Sequence, residues 1–311
     1  MPYGMGAGGL VGVAFETVSG TYTAPTKFVP ILSESLELKE TNIYRTPIRQ
    51  SAARIGVVPG DFSVQGTITM EALEDTCLYF TECSRATGVK TGTTPNWVYT
   101  YTPNSNAVPN KTMSITVVRN GVIFGYVGCV VGKQTFSVNN NVLEYSCDIF
   151  GLSDAQPSPA LTPVWPTSVP YGPGTWNIQI PNPTQVFDMD TFSFDIDDVG
   201  AEQFRLKSTR GAQFASFGER SCQMTTTRDF LTNADYVNFI SVLGQKITVL
   251  ATNGVNNNIQ FDLFNAIKDV YQVPLSGVGN LIRASITYQT VLDGSGNEYD
   301  IIYKTQETIV P

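Results

Sequence analysis

The chain has no histidine in its 311 residues. That absence removes Ser-His-Asp and Cys-His nucleophile arrangements and every His-ligated metal site, and it points away from an enzyme. Charged side chains are also scarce, at 15%. An ordinary monomer solvates its surface with more Lys, Glu and Arg than this, so the shortage hints that neighbours cover much of the exterior. Basic residues are outnumbered, 19 against 27 acidic, for a net charge of −8. This disfavours tight phosphate binding through basic patches. Cysteines number five, an odd count: Cys77 and Cys83 fall in an expected helix, Cys129, Cys147 and Cys222 in expected strands. They read as reduced core residues rather than a disulfide framework, which implies folding in the cytosol. The N-terminus lacks a basic leader, and its longest apolar run, residues 10–15, is too short for a signal core or a membrane span.

What is present is β-forming: Gly, Pro, Thr, Asn and Val abound, and aromatics reach 11%. The most informative stretch is 60–85. There Ser63, Gln65, Thr67 and Thr69 alternate with Phe62, Val64, Ile68 and Met70, giving one polar and one apolar face before a helix. The polar face recurs as Ser221, Gln223, Thr225 and Thr227, each 158 positions later. The flanks match too. Gly60-Asp61 falls on Gly218-Glu219, Leu73 on Leu231, and Leu36-Glu37-Leu38 on Phe194-Asp195-Ile196. A chance match of a Ser-x-Gln-x-Thr-x-Thr string is conceivable, but the flanks favour an old duplication. The polar side is the most literally repeated part, which suggests a surface that both copies present to the same thing.

This repeat predicts a mostly β protein of two tandem β-sandwich or split-barrel domains, each with a flanking helix. Residues 1–27, rich in glycine, are expected to be a mobile arm. The first domain spans 28–155, a linker with eight prolines spans 156–183, and the second domain spans 184–311. Between 40 and 60 a long connection carries Arg45, Arg49 and Arg54. It reads equally as a contact element or as a solvated loop. Helices are expected over 71–85 and 230–243, stopped by Gly88 and Gly244. Asn120-Gly121 and Asn139-Asn140-Asn141 mark hairpin turns. Residues 91–110, with Trp97, Tyr99 and Tyr101 on one side of an alternating run, suggest a hairpin missing from the second half.

Candidate chemistry is thin. Asp188, Asp190, Asp195, Asp197 and Asp198 offer clustered oxygens to a hard cation, but their alternation with Phe194 and Ile196 is that of an acidic strand face. Residues 293–298 faintly resemble a calcium loop and read better as a hairpin tip. The aromatics of 97–101 could stack on a sugar, or simply pair across strands. An acid-pair hydrolase has no pair to nominate.

The arm at 9–17 (Gly-Leu-Val-Gly-Val-Ala-Phe-Glu-Thr), the 28–31 start (Phe-Val-Pro-Ile), the Glu37 strand, the long connection, residues 60–66 and the following helix together resemble the tail tube proteins of long-tailed bacteriophages. The likeness covers residues 1 to about 155 and reaches the second half through the repeat. It implies a structural virion protein that polymerises in stacked rings whose inner sheets join into one barrel, without enzymatic activity, cofactor, metal or membrane. Rings of six domains imply homotrimers for a chain with two. The resemblance further implies a channel lined by Glu37, Lys39, Ser63, Gln65, Thr67, Thr69, Asp195, Asp197, Ser221, Gln223, Thr225 and Thr227. Lys39 is a cationic exception, and Asp197 takes its place in the second copy. Contacts between subunits and rings would fall to the arm (Val11, Val13, Phe15) and to Arg45, Arg49 and Arg54. Implied partners are a tape measure protein, transiently double-stranded DNA in the lumen, a tail terminator, and baseplate or tip proteins. Assembly would take place in the host cytoplasm, before residence in the virion tail. The competing expectation is a viral β-sandwich adhesin or capsid-decorating protein that binds a host-surface glycan through the 97–101 face.

Overall fold

The computed structural model describes residues 8–46, 54, 56–106, 108–155, 161–205, 210–230, 233–275 and 281–306. The first half runs β1 (Leu10–Phe15), β2 (Lys27–Val29), β3 (Ile31–Glu34), β4 (Glu37–Arg45), β5 (Gly56–Glu71) and α1 (Glu74–Glu82). It continues through β6 (Ala86–Thr93), β7 (Asn96–Pro103), β8 (Met113–Arg119), β9 (Val122–Asn139), β10 (Val142–Gly151) and β11 (Ser153–Ala155). The second half runs β12 (Trp176–Gln179), β13 (Gln185–Val186), β14 (Met189–Gln203), β15 (Phe214–Asp229), α2 (Ala234–Ile240), β16 (Gln245–Thr252), β17 (Asn258–Gln272), β18 (Arg283–Thr290) and β19 (Tyr299–Thr305). The fold is mostly β, with two short helices among the described residues.

The turns follow local chemistry. Asn120-Gly121 and Asn140-Asn141 hold paired positive φ values (50° and 78°, 48° and 65°), the twist that joins two-residue hairpins. Each closes onto β9, from β8 on one side and into β10 on the other.

One antiparallel sheet passes through both halves in the order β4, β5, β10, β9, β14, β15, β18, β17. Its centre is the pairing of β9 with β14, Lys133 opposite Asp197 and Phe136 opposite Phe194. The long strands β9 and β17 leave this sheet at their N-terminal ends. There β9 pairs with β8 and β11, and β17 with β16 and β19. Strands β6 and β7 extend this second layer across the chain, since β7 pairs with β19.

The pairing pattern repeats at the spacing of the sequence match. Glu37 opposes Gln65 and Lys39 opposes Ser63, with a bulge between Glu40 and Asn42. Asp195 opposes Gln223 and Asp197 opposes Ser221, with a bulge between Asp198 and Gly200. A second bulge between β9 and β10 at Asp148/Ile149 has a counterpart between β17 and β18 at Lys268/Val270.

The apolar face of the sheet packs into a core to which both halves contribute. Phe136 meets Tyr145 and Phe261 at ring-centroid distances of 4.7 and 4.8 Å, and Phe261 meets Phe194 at 5.1 Å. Each such buried ring is worth about 1.5–3 kcal/mol of transfer free energy. Helix α1 lies within this core, where the Thr81 hydroxyl meets Gln134 at 3.0 Å and the hydroxyl of Tyr303 at 2.8 Å. A buried ion cluster adds a polar tie. Asp198 lies 3.2 Å from Arg85 and 2.9 Å from Arg220, which also donates to the carbonyls of Arg85 and Asn104.

Several expectations change. Residues 10–15 are a core strand, with Val11 and Val13 buried and Phe15 stacked on Tyr79 at 5.2 Å. Alternating apolar residues outweighed the flanking glycines, and these side chains pack inside their own chain. The connection at 40–60 is largely β-hairpin, because β4 and β5 stay paired out to Arg45 and Gly56. The second half builds the same projecting hairpin from β14 and β15, paired out to Gln203 and Phe214. The aromatic hairpin spans 86–103 rather than 91–110. The second helix is confined to Ala234–Ile240, and β19 had no counterpart in the sequence reading.

Candidate functional site: a continuous polar sheet face

Strand alternation leaves the other face of the central sheet polar, and the register lines its residues into rows that cross from one half to the other. One row runs Thr69, Ser146, Thr135, Asp195, Gln223, Gln289. The next runs Thr67, Asp148, Lys133, Asp197, Ser221. A third runs Glu71, Glu144, Ser137, Ser193, Thr225, Thr287. Ser63, Gln65, Thr67, Thr69, Asp195, Asp197, Ser221, Gln223, Thr225 and Thr227 thus share one surface. Glu37 and Lys39 join it from β4, opposite Gln65 and Ser63.

The sequence reading found positions on β5 and β15, two on β4 and two on β14. It missed Lys133, Thr135 and Ser137 on β9, Glu144, Ser146 and Asp148 on β10, and Ser285, Thr287 and Gln289 on β18. The signal was there, as the same alternation with Gln134, Phe136, Tyr145, Cys147, Ile286 and Tyr288, all of which are buried.

Much of the face is satisfied laterally. Thr67 donates to Asp148 at 2.7 Å, and Asp195 accepts from Thr135 at 2.7 Å and Ser193 at 2.9 Å. Thr69 meets Ser146 at 3.2 Å. Lys39 donates to Gln65 at 3.0 Å and lies 3.9 Å from Glu37, so the cationic exception is locally paired. Glu202, from the second projecting hairpin, reaches back to accept from Ser63 and Gln65. Lys133 stands in its row between Asp148 and Asp197. Arg283, at the rim, is held by Asp190 at 2.8 Å. Carboxylates outnumber cations across the face, and many of its hydroxyls are engaged with those carboxylates or with one another. Such a surface offers a polyanion little to hold.

The alternative sites dissolve in the structure. Of the five clustered aspartates, Asp188 pairs with Arg228, Asp190 with Arg283 and Asp198 with Arg85 and Arg220, in different directions. Burial pushes the Asp198 carboxyl above its ordinary value, against the pull of Arg220 and Arg85. Asp293 accepts the backbone N–H groups of Ser295 and Asn297, both at 2.8 Å, and these hold its carboxyl below the usual range. It closes a turn between β18 and β19, which both pair with β17 rather than with each other, so the expected hairpin is instead a connection between two neighbours of β17. No cluster of three or more His, Cys, Asp or Glu side chains suited to a metal occurs among the described residues. The 97–101 aromatics are consumed internally: Tyr99 and Tyr101 are buried, Tyr101 packs edge-on against Tyr303, and Lys90 sits 3.8 Å over Trp97. All five cysteines are free and buried, and burial pushes their thiols up. No described helix is long and apolar enough to cross a membrane.

Of the expected contact residues, Arg45 and Arg54 lie on the first projecting hairpin, with Arg54 stacked 4.4 Å over Tyr44. Arg49 lies outside the described residues. The second hairpin is not free. Residues 210–212 dock on the first half, where Arg210 pairs with Glu40 and donates to the Gly60 carbonyl at 2.9 Å, and Gly211 bridges Phe62.

A broad polar sheet face on an apolar core to which both halves contribute defines a mostly β protein built around a surface. The family model described as phage tail tube protein matches residues 6–290, and the chain belongs to that family. It is therefore a non-enzymatic structural component of a phage tail. No curated protein matches the chain.

Proposed function

We propose that the polar face of β4, β5, β10, β9, β14, β15, β18 and β17 is the inner wall of the tail tube, and that both halves of the chain line it. The observation that carries this reading is the register. The polar rows run unbroken through the β9–β14 junction, and the two halves repeat the same pairs and bulges. On this reading the halves are duplicated tube units, 28–155 and 184–311 joined through 156–183, and three chains close a ring of six units. Eight strands per chain then give a barrel of about 24 strands, roughly 50 Å across between backbones, with a bore of about 40 Å. Duplex DNA fits that bore.

The work of the wall is physical. Acids and laterally bonded hydroxyls repel or ignore phosphate, so DNA slides during ejection without a chain of binding sites to escape. Before ejection a tape measure protein fills the bore, and terminator and tip proteins cap the two ends of the stack. The projecting hairpin with Arg45 and Arg54 is a contact element between copies. Assembly in the host cytoplasm is consistent with five reduced cysteines.

End-on negative-stain electron microscopy of the purified protein tests the reading. Hollow rings or tubes with six similar lobes and three chains per ring are expected. Compact particles without a channel at any concentration would refute it.

A further inference from the structure

The chain contains one complete junction between its halves and the two open ends of another. Within the chain, β9 is flanked over 133–137 by β10 on one side and β14 on the other. The corresponding stretch of the second half is identified by register. Lys133 opposes Asp148 just beyond a bulge, and Val270 opposes Thr287 just beyond the matching bulge. Gln134 then matches Tyr271, and Thr135 matches Gln272. The helices agree with this alignment, since Gln134 contacts Thr81 of α1, while the Tyr271 ring lies 6.1 Å from Phe239 of α2, the residue 158 positions on. Over 269–272, however, β17 has a paired strand on one side alone among the described residues.

The opposite half of the junction is open as well. Strand β14 is held between β15 and β9, whereas its counterpart β4 is paired with β5 alone among the described residues. Exposure follows. Ile196 is 1% exposed and its counterpart Leu38 is 37% exposed, while Val270 at 39% lies on the open edge of β17. The helix beside that edge is uncovered too. In α1 the residues Leu78 and Tyr79 are buried, while the α2 residues 158 positions on, Tyr236 and Val237, are 48% and 51% exposed.

We infer that the open edge of β17 pairs antiparallel with β4 of a second copy of this chain in the register of the β9–β14 junction, Glu37 opposite Gln272, Leu38 opposite Tyr271 and Lys39 opposite Val270. The inference rests on the tube reading and gives it a residue-level subunit interface. Leu38 then takes the buried position that Ile196 holds, and the second copy's first half covers α2 as the second half covers α1. Because the same rotation relates each unit to the next, the pairing propagates and closes.

Cysteine pairing tests the register, because the native cysteines are all buried and Glu37 and Gln272 are exposed. Residues directly opposite stand about 4.5–5.5 Å apart at Cβ and diagonal neighbours about 7–8 Å, and a disulfide needs about 3.5–4.5 Å. In assembled E37C/Q272C, mild oxidation is expected to give covalent two- and three-chain species at a rate within about threefold of the intrachain pair T135C/D195C. The pair K39C/Q272C, two residues out of register, links at least about tenfold more slowly. In the unaltered chain, hydrogen exchange at 36–39 and 270–273 slows at least about tenfold on assembly. Rings that form without E37C/Q272C linkage and without slowed exchange, or that link K39C/Q272C faster, overturn this register and leave the tube reading standing. Failure to form rings overturns both.

Discussion

Strands β4 and β14 share a register, a bulge and a polar face, yet they live in different surroundings. Phe192, Phe194 and Ile196 of β14 are buried against β9 and the common core. On β4 every residue is exposed, and Ile43 and Tyr44 on its projecting end are 55% and 51% open. The same contrast separates α1 from α2. Two similar segments therefore show that the pattern needed to build the sheet is one matter and the presence of a neighbour is another. Strand β14 and helix α1 have their neighbour inside the chain, whereas β4 and α2 wait for one.

Paired substitutions at matched positions should break or sharpen that contrast. The largest difference is expected at Asp198 and its counterpart Glu40. Removing Asp198 leaves Arg85 buried without its carboxylate and Arg220 with Glu298 alone at 3.6 Å, so D198A should lower stability by about 3–5 kcal/mol in chemical denaturation of the unassembled chain. E40A, which removes an exposed pairing with Arg210, should cost under about 1 kcal/mol. Equal losses would mean that the two positions are not distinguished by burial.

I196A should cost about 2–5 kcal/mol in the unassembled chain, and L38A under about 1 kcal/mol. If assembly covers Leu38, L38A should instead raise the concentration at which rings form, read by sedimentation, while I196A acts through folding. A smaller effect is expected at the glycines of the second hairpin. A Cβ on Gly200 would lie 2.4 Å from the Phe217 ring, which stacks edge-on with Phe150, so G200A should cost about 1–3 kcal/mol. At the matched first-hairpin position, N42A should fall within about 0.5 kcal/mol of the parent in thermal denaturation.

The mildest test is pH. Burial holds Asp198 and Glu298 above ordinary carboxylate values, so folding takes up protons between the ordinary and the raised values. The contribution of these two groups is most favourable below the ordinary values and declines as pH rises through the raised ones. D198N should flatten this part of the stability profile. A steeper fall with rising pH in D198N would contradict the assignment.

Much of the polar face was legible because β5 and β15 carry it as a literal repeat, with hydroxyls and amides at period two. The rest was harder to read. Ser146 and Thr135 lie on strands whose polar positions are interrupted by residues such as Phe150, and their place in the face depends on register, a property of pairs. The N-terminal strand was obscured because glycines flank Leu10–Phe15, and only its pairing with β8 and β2 shows that Val11 and Val13 are core residues. The first projecting hairpin read as a loop because its end lacks a buried face, which is the usual sequence mark of a strand. Nothing in α2 distinguishes its apolar stripe from a core stripe, and its exposure in the single chain could be learned only from what packs around it.

The most direct test of the central claim is an electron cryomicroscopy reconstruction of assembled tubes at a resolution that places side chains. Three chains per ring are expected, with a bore wall that carries Thr67, Asp148, Lys133, Asp197 and Ser221 in one row from both halves of each chain. Six chains per ring with the second half on the outside, or a bore from which Asp195 and Asp197 are absent, would contradict it.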